Sequence, residues 1–361
     1  MEHSILLEKL SNHGIRGTAN RLLTSYLNNR KHCTKINKKL STYKECKHGV
    51  PQGSVLGPLL FLVYINDLHK SIINSKTYHF ADDTSIVCRG TSLKDLKLLL
   101  QNDLFGLVHW LRANKISLNA GKTEIIIFRS RYKRIDCKLV FKMSGQKLSI
   151  KKKVKYLGII LDEHLTWSEQ MIVLLSKLSR ATGILAKIRH FVNFKTRLSI
   201  YYCLFESHLN YCIQCFGYLT LTNLSKLQVL QNKAMRMIFF KGPRESARPL
   251  YLQAKILPVD KLLILKNCLF AFDHQNKKLP TFFDSFCTPV AEEHVIGTRD
   301  SKNHKLAVKM TETVTYGSCN IKNTVAKHWN SVIPSIKVDI KDVSKDTFKD
   351  HVKSYIIDKM A

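Results

Sequence analysis

Apolar positions along this chain follow two regimes. Up to about residue 168, helical stripes alternate with short strand-like runs, and beyond it helical spacing prevails. Ile5, Leu6, Leu7 and Leu10 predict a first helix stopped at Gly14. A second opens at Arg16-Gly17, with Leu22, Leu23, Tyr26 and Leu27 at helical spacing. Leu59 to Tyr64 reads as a buried helix. Thr77–Phe80 and Thr84–Cys88 read as two strands around a turn made by Asp82 and Asp83. Ser92 and Asp95 form a capping-box pair ahead of a helix whose stripe is Leu93, Leu96, Leu100, Leu104, Leu107 and Leu111. Ile125–Phe128 and Val154–Leu161 each read as one strand.

Three helices then follow in succession. Their stripes are Met171, Leu174, Leu175, Leu178, Leu185 and Ile188; then Leu198, Tyr202, Phe205, Leu209 and Cys212; then Leu224, Leu227, Gln231, Ala234 and Ile238. Gly242-Pro243 and Arg248-Pro249 interrupt the pattern near a boundary. From about Pro280 the chain reads as a small α-rich appendage anchored by Trp329, Ile333, Phe348 and Tyr355.

Charge narrows the function. Lys and Arg number 58 against 27 Asp and Glu, a net charge of +31. That balance points to a polyanionic partner, nucleic acid first and an anionic membrane surface second. No apolar run reaches the roughly 20 residues that span a bilayer. Met1-Glu2-His3 does not open a signal peptide, and ten scattered cysteines suggest reduced thiols in the cytosol or nucleus. Cys212-x-x-Cys215 has zinc-like spacing without a second ligand pair, which favours buried thiols in a helix. The sequence specifies no oligomeric state.

Candidate chemistry sits in a few places. Adjacent Asp82 and Asp83 are either a solvated turn or a seat for a divalent cation. Pro51-Gln52-Gly53 is either a ligand loop or an ordinary connector: Pro51 and Gly53 shape it, and Gln52 offers donors and acceptors. Gly121-Lys122-Thr123 is not a phosphate loop, because Ile116 stands where that motif needs glycine. Arg30, Lys31, Lys35, Lys38 and Lys39 form one basic patch, and Lys151, Lys152, Lys153 and Lys155 a second.

Five blocks in order resemble the reverse transcriptases of jockey-like non-LTR retrotransposons. They are Gly14–Gly17 with Ser25–Arg30, Gly49–Pro58, Phe80-Ala81-Asp82-Asp83, Leu118–Thr123, and Tyr156–Gly158 with Leu165–Trp167. The resemblance implies an α+β fold: an incomplete polymerase palm of antiparallel sheet and helices over 1–168, a helical thumb or connection over 169–245, and an α-rich region over 246–361. It implies RNA-directed DNA polymerisation on an RNA template and a DNA primer with dNTPs, by two Mg²⁺ ions. Asp82 and Asp83 would be metal ligands and catalytic, with Lys122 serving the leaving pyrophosphate. Pro51, Gln52, Gly53, Phe80 and Ala81 would contact substrate. Arg30, Lys31, Lys151, Lys152, Lys153 and Lys155 would track phosphates. The family's palm uses a further aspartate on a strand preceding the stretch matched by His3. The chain is therefore expected to be a 5′-truncated copy or a partial gene product, complete at its C-terminus, that does not polymerise alone. A catalytically silent nucleic-acid-binding remnant is the alternative.

Overall fold

A computed structural model describes residues 1–133, 139–216, 221–290, 305–309, 320–336, 340 and 342–360. Cys137, Tyr218 and Cys319 lie outside them. The fold mixes helices with small sheets, in two compact units, Met1–Val154 and Lys155–Ala361.

In the first unit, α1 (His3–Asn12) and α2 (Gly17–Leu27) form where the sequence pattern predicts, but Leu22, expected on the apolar face of α2, is exposed. Leu6, Leu10 and Leu27 are fully buried. The basic stretch after α2 was expected only as a patch, and it is a β-arm. β1 (Lys31–His32) pairs with β4 (Lys44–Glu45), and β2 (Lys35–Ile36) with β3 (Lys39–Leu40). Asn37 and Lys38 close its tip with φ of 46° and 69°, the two left-handed positions of a type I′ turn.

Helix α3 (Leu56–Ile65) buries Leu60, Tyr64 and Ile65 but leaves Leu59 and Leu62 exposed, so only one face of the expected buried helix is core. Strand β5 (Ser75–Phe80) pairs in full antiparallel register with β6 (Asp83–Cys88). Helix α4 (Leu93–Ala113) begins with the expected cap, the Ser92 hydroxyl accepting from the Asp95 N–H at 3.1 Å. The Asp95 carboxylate reaches back to the Thr91 N–H, one residue earlier than a capping box requires. Gly106 lets α4 approach the Leu68–Ser71 turn; a Cβ there would lie 2.2 Å from the Ser71 carbonyl oxygen. A three-stranded sheet completes the unit. In it β9 (Gln146–Ile150) lies between β7 (Glu124–Ile125), parallel, and β8 (Phe141–Met143), antiparallel. The strand expected to run to Phe128 ends at Ile125.

The expected single strand over 154–161 is a hairpin instead. β10 (Lys153–Tyr156) and β11 (Ile159–Asp162) flank Leu157 and Gly158, whose φ values of 45° and 84° turn the chain. The Tyr211 hydroxyl donates to the Leu157 carbonyl and holds that turn. Asp162 then prepares α5 (Ser168–Ile188) by accepting from the N–H groups of His164, Thr166 and Trp167 and from the Thr166 hydroxyl. Burial works to raise the Asp162 pKa, but these donors outweigh it and hold it below the ordinary value. A depressed carboxyl contributes stability above its unfolded pKa and loses it as pH falls through its folded pKa. Asp162→Asn is expected to cost roughly 2 kcal/mol at pH 7 and to flatten the loss of stability below about pH 4. Urea melts at several pH values test both.

After α5, α6 (Phe194–Ile200) passes through a π-helical turn, Tyr201–Glu206, into α7 (Ser207–Asn210). The wider turn shifts the helical phase. Tyr201, Phe205 and Leu209 are therefore buried, while Tyr202 is exposed against expectation. Cys212, at φ 54°, ends α7 before α8 (Ile213–Phe216); Cys212 is half-buried and Cys215 exposed, so neither is the buried helical thiol expected. Helices α9 (Leu221–Ile238), α10 (Arg248–Ala254), α11 (Val259–Gln275), α12 (Ile321–Ile336) and α13 (Lys345–Asp358) complete the unit. One core runs through it from Met171 to Met360. The C-terminal stretch is not an appendage: Trp329 and Phe348 are fully buried, and Phe348 stacks on Phe272 of α11 at 4.4 Å.

Candidate active site

The β5–β6 hairpin presents its acidic residues at a tip closed by two residues, Ala81 and Asp82, across the pair Phe80↔Asp83. Ala81 takes φ of 51°, which the tight reversal demands. The turn is thus Ala81-Asp82 rather than the acidic pair, and Asp83 is the first residue of β6. Asp82 and Asp83 are exposed, as are Phe80 (63%) and Ala81. Among the described residues the hairpin pairs with no third strand.

Its foot is fixed. Asp103, on α4 and 2% exposed, accepts from the N–H groups of Ile73 and Asn74 at 3.0 Å each, from Asn74 Nδ2 at 3.1 Å and from the Ser75 hydroxyl. Both strands pack on α4. Along β5, Ser75, Thr77 and His79 face inward while Lys76, Tyr78 and Phe80 face out. His79 Nδ1 lies 3.2 Å from the Thr84 hydroxyl, whereas its buried Nε2 has no partner among the described residues. Burial, helped by the nearby His69, lowers its pKa and favours the neutral ring. Asp103 and His79 were not singled out from the sequence. An acid inside the leucine stripe of α4 was the available signal for the first.

The loop ahead of α3 is closed on itself by the Ser54 side chain. The Ser54 hydroxyl donates to the Pro51 carbonyl at 2.8 Å and accepts from the Gly57 N–H at 3.0 Å. Gly53, at φ 81°, leaves Gln52 exposed. The loop's start is tied to the N-terminal segment, where His3 Nε2 lies 2.7 Å from the Gly49 carbonyl and Glu2 bridges His48. Lys122 is exposed on a 3₁₀ turn, Ala120–Lys122, whose N–H is held by Asn119; this turn packs on β9. Arg30 lies 5.9 Å from the Tyr26 ring at the root of the β-arm, and Lys31 opens β1. Lys151, Lys152, Lys153 and Lys155 are exposed, the last two on one face of β10.

The donor chemistry of the hairpin tip suits a hard cation that also takes phosphate oxygens, since Mg²⁺ is commonly held by one or two carboxylates. It does not suit an all-protein cage. Among the described residues, no group of three or more His, Cys, Asp or Glu side chains could hold a metal.

Residues 1–161 match the family described as reverse transcriptase (RNA-dependent DNA polymerase). Those residues belong to the reverse transcriptase family. Among relatives, the RNA-directed DNA polymerase from mobile element jockey of Drosophila funebris is 30% identical over 252 residues, covering 66% of this chain and 26% of that protein. The probable RNA-directed DNA polymerase from transposon X-element of Drosophila melanogaster is 27% identical over 224 residues, covering 60% of this chain and 24% of that protein. The Pol polyprotein of type-1 retrotransposable element R1 from Bradysia coprophila is 28% identical over 149 residues, covering 40% of this chain and 14% of that protein. Residues 1–161 are a reverse transcriptase domain similar to those of jockey-like non-LTR mobile elements. The chain spans about a quarter of the length of the first two relatives. Among the described residues, no helix is long and apolar enough to cross a membrane.

Proposed function

We propose that the β5–β6 hairpin is the metal-holding part of a nucleotidyl-transfer site acting on an RNA template, a DNA primer and dNTPs. The observation that carries this is the adjacent exposed pair, Asp82 in a two-residue turn and Asp83 at the start of β6, within a stretch that matches the reverse transcriptase family. Asp82 and Asp83 would hold Mg²⁺, which would supply charge stabilisation to phosphate oxygens. In the same reading, Pro51, Gln52 and Gly53 line the nucleotide and template side with Phe80 and Ala81. Lys122 offers a cation to the departing pyrophosphate. Arg30 and Lys31, like Lys151, Lys152, Lys153 and Lys155, track backbone phosphates. We read 1–168 as palm, 169–245 as thumb or connection and 246–361 as an α-rich C-terminal region.

We further infer that this chain alone binds nucleic acid without extending it, because among its described residues no third His, Cys, Asp or Glu side chain joins Asp82 and Asp83 in a metal-holding group. Two measurements separate these claims. Fe²⁺ in place of Mg²⁺, with peroxide and a bound primer–template, is expected to cut the backbone near Asp82, and Asp82→Ala/Asp83→Ala to abolish the cut. Cleavage elsewhere only would refute the metal seat. Primer extension with dNTPs and Mg²⁺ is expected to give no product, while binding weakens linearly in log[salt]. Robust extension lost in Asp82→Ala would overturn the inactivity and support the seat.

A further inference from the structure

The helical unit carries a concave site that the polymerase reading leaves unused. A cavity of about 600 Å³ lies between α9, α10, the start of α11 and the end of α13. That volume is in the range of small-ligand sites. Four basic side chains line it, Arg236, Arg248, Lys261 and Lys359, against one acid, Asp260. Like charges gathered on one concavity repel, and an anion between them relieves the repulsion.

The lining is held in place. Arg236 Nε donates to the Glu245 carbonyl at 2.7 Å, which fixes the guanidinium plane and leaves its Nη groups for a ligand. Arg248 is tied to the chain end through the Met360 carbonyl, by Nε at 2.7 Å and by Nη2. Lys261 pairs with Asp260 at 3.1 Å, and Lys359 lies over the Tyr355 ring at 4.8 Å. One wall is polar and uncharged. The buried Tyr251 hydroxyl donates to Asn232 Oδ1 at 2.8 Å and accepts from Gln228 Nε2 at 2.9 Å. Gln228 Oε1 accepts from the Val259 N–H at 3.0 Å. Burial pushes the Tyr251 phenol well above its ordinary pKa, so the wall stays neutral, and a further bond from Gln228 Nε2 to Asn232 Oδ1 at 2.9 Å ties it together from within. With Asn232 Oδ1 occupied, its amide N–H₂ is the group it offers. An inorganic phosphate would use the cations but leave the Asn232 amide N–H₂ and the apolar Ala247 and Pro258 unmatched. A nucleotide uses all three kinds of lining.

We propose that this cavity is a nucleotide-binding site, with phosphate on Arg236, Lys261 and Lys359 and the sugar and base against Tyr251, Asn232 and Gln228. It rests on the reading of nucleic-acid function only for the ligand's source, a strand or a free nucleotide.

The test uses the full chain, a labelled single-stranded RNA 12-mer and AMP. Arg236→Gln is one variant. Lys261→Gln/Lys359→Gln is a second that removes no backbone anchor, with melting curves to check folding. Lys226→Gln/Lys233→Gln, which removes two exposed charges on α9 outside the cavity, is the control. The expected result is loss of AMP binding and about tenfold weaker RNA binding in both cavity variants. The log K against log[salt] slope should shrink by about 0.7 for each phosphate that the variant no longer neutralises. The control should shift RNA affinity less than threefold and leave AMP binding intact. Equal weakening by control and cavity variants overturns the site, as does AMP binding indifferent to the cavity; both spare the nucleic-acid reading. AMP binding that the cavity variants abolish, in a chain that binds no RNA, supports the site with free nucleotide and counts against that reading. Binding of neither ligand overturns the site.

Discussion

Asp103→Ala is expected to destabilise the first unit by on the order of 3 kcal/mol and to free the acidic hairpin from its base. The carboxyl group lies within α4 and serves four donors on Ile73, Asn74 and Ser75. Two of these are backbone N–H groups at the entry to β5, and a donor left without an acceptor costs more than the bond itself contributed. The effect extends to the site because β5 and β6 form a two-stranded ladder that leans on α4. Hydrogen exchange over Ser75–Cys88 is expected to accelerate in the variant, with Fe²⁺ cleavage near Asp82 weakened. Asp103→Asn keeps one acceptor oxygen and should cost less. Unchanged exchange in the hairpin alongside a lower denaturation midpoint would show that Asp103 supports the unit without positioning Asp82 and Asp83.

Trp329→Ala is expected to cost the second unit roughly 3–5 kcal/mol, the range for removing a large buried aromatic side chain. Trp329 is wholly buried on α12, and its ring centroid lies 6.0 Å from that of Phe348 on α13, which stacks on Phe272 of α11. The loss should appear across the unit as one transition, because these rings belong to the same core as Leu178 and Phe205. Phe191→Ala is the contrast. That ring is 86% exposed, and its removal should change stability by about 0.5 kcal/mol or less. Urea melts followed by circular dichroism decide it. A small change in Trp329→Ala would mean that the C-terminal helices are an independent appendage after all.

Local signals were legible where one stretch of chain contains the whole physical cause. The Ser92 cap, the stripes of α5 and α9, and the acidic reversal between two β-rich runs are such cases. Others were ambiguous. Val154–Leu161 reads as one strand because strand-favouring residues lie on both sides of Gly158, the one turn signal in the run, and the backbone turn at Leu157-Gly158 divides it. The β-arm lacks apolar alternation because nothing among the described residues covers it, and its tip signal was a single Asn37. A one-residue phase change in the π-turn exchanged Tyr202 for Tyr201 in the core.

Sequence by itself determined the family, the polyanion-seeking charge and the identity of the acidic pair, since ordered motifs and net charge need no third dimension. Only the tertiary structure decided what holds that pair and how the C-terminal helices join the core. Asp103 meets donors 28 to 30 residues away, and Arg248 meets Met360 across 112 residues. Such partners leave no periodic trace, because each is selected by proximity in the folded chain. The cavity is of the same kind: Lys359 joins Arg236, Arg248 and Lys261 around one concavity only where the helices pack. The hairpin's carboxylates were readable as letters. The hairpin that carries them is held at its foot by Asp103, a buried acid within the leucine stripe of α4.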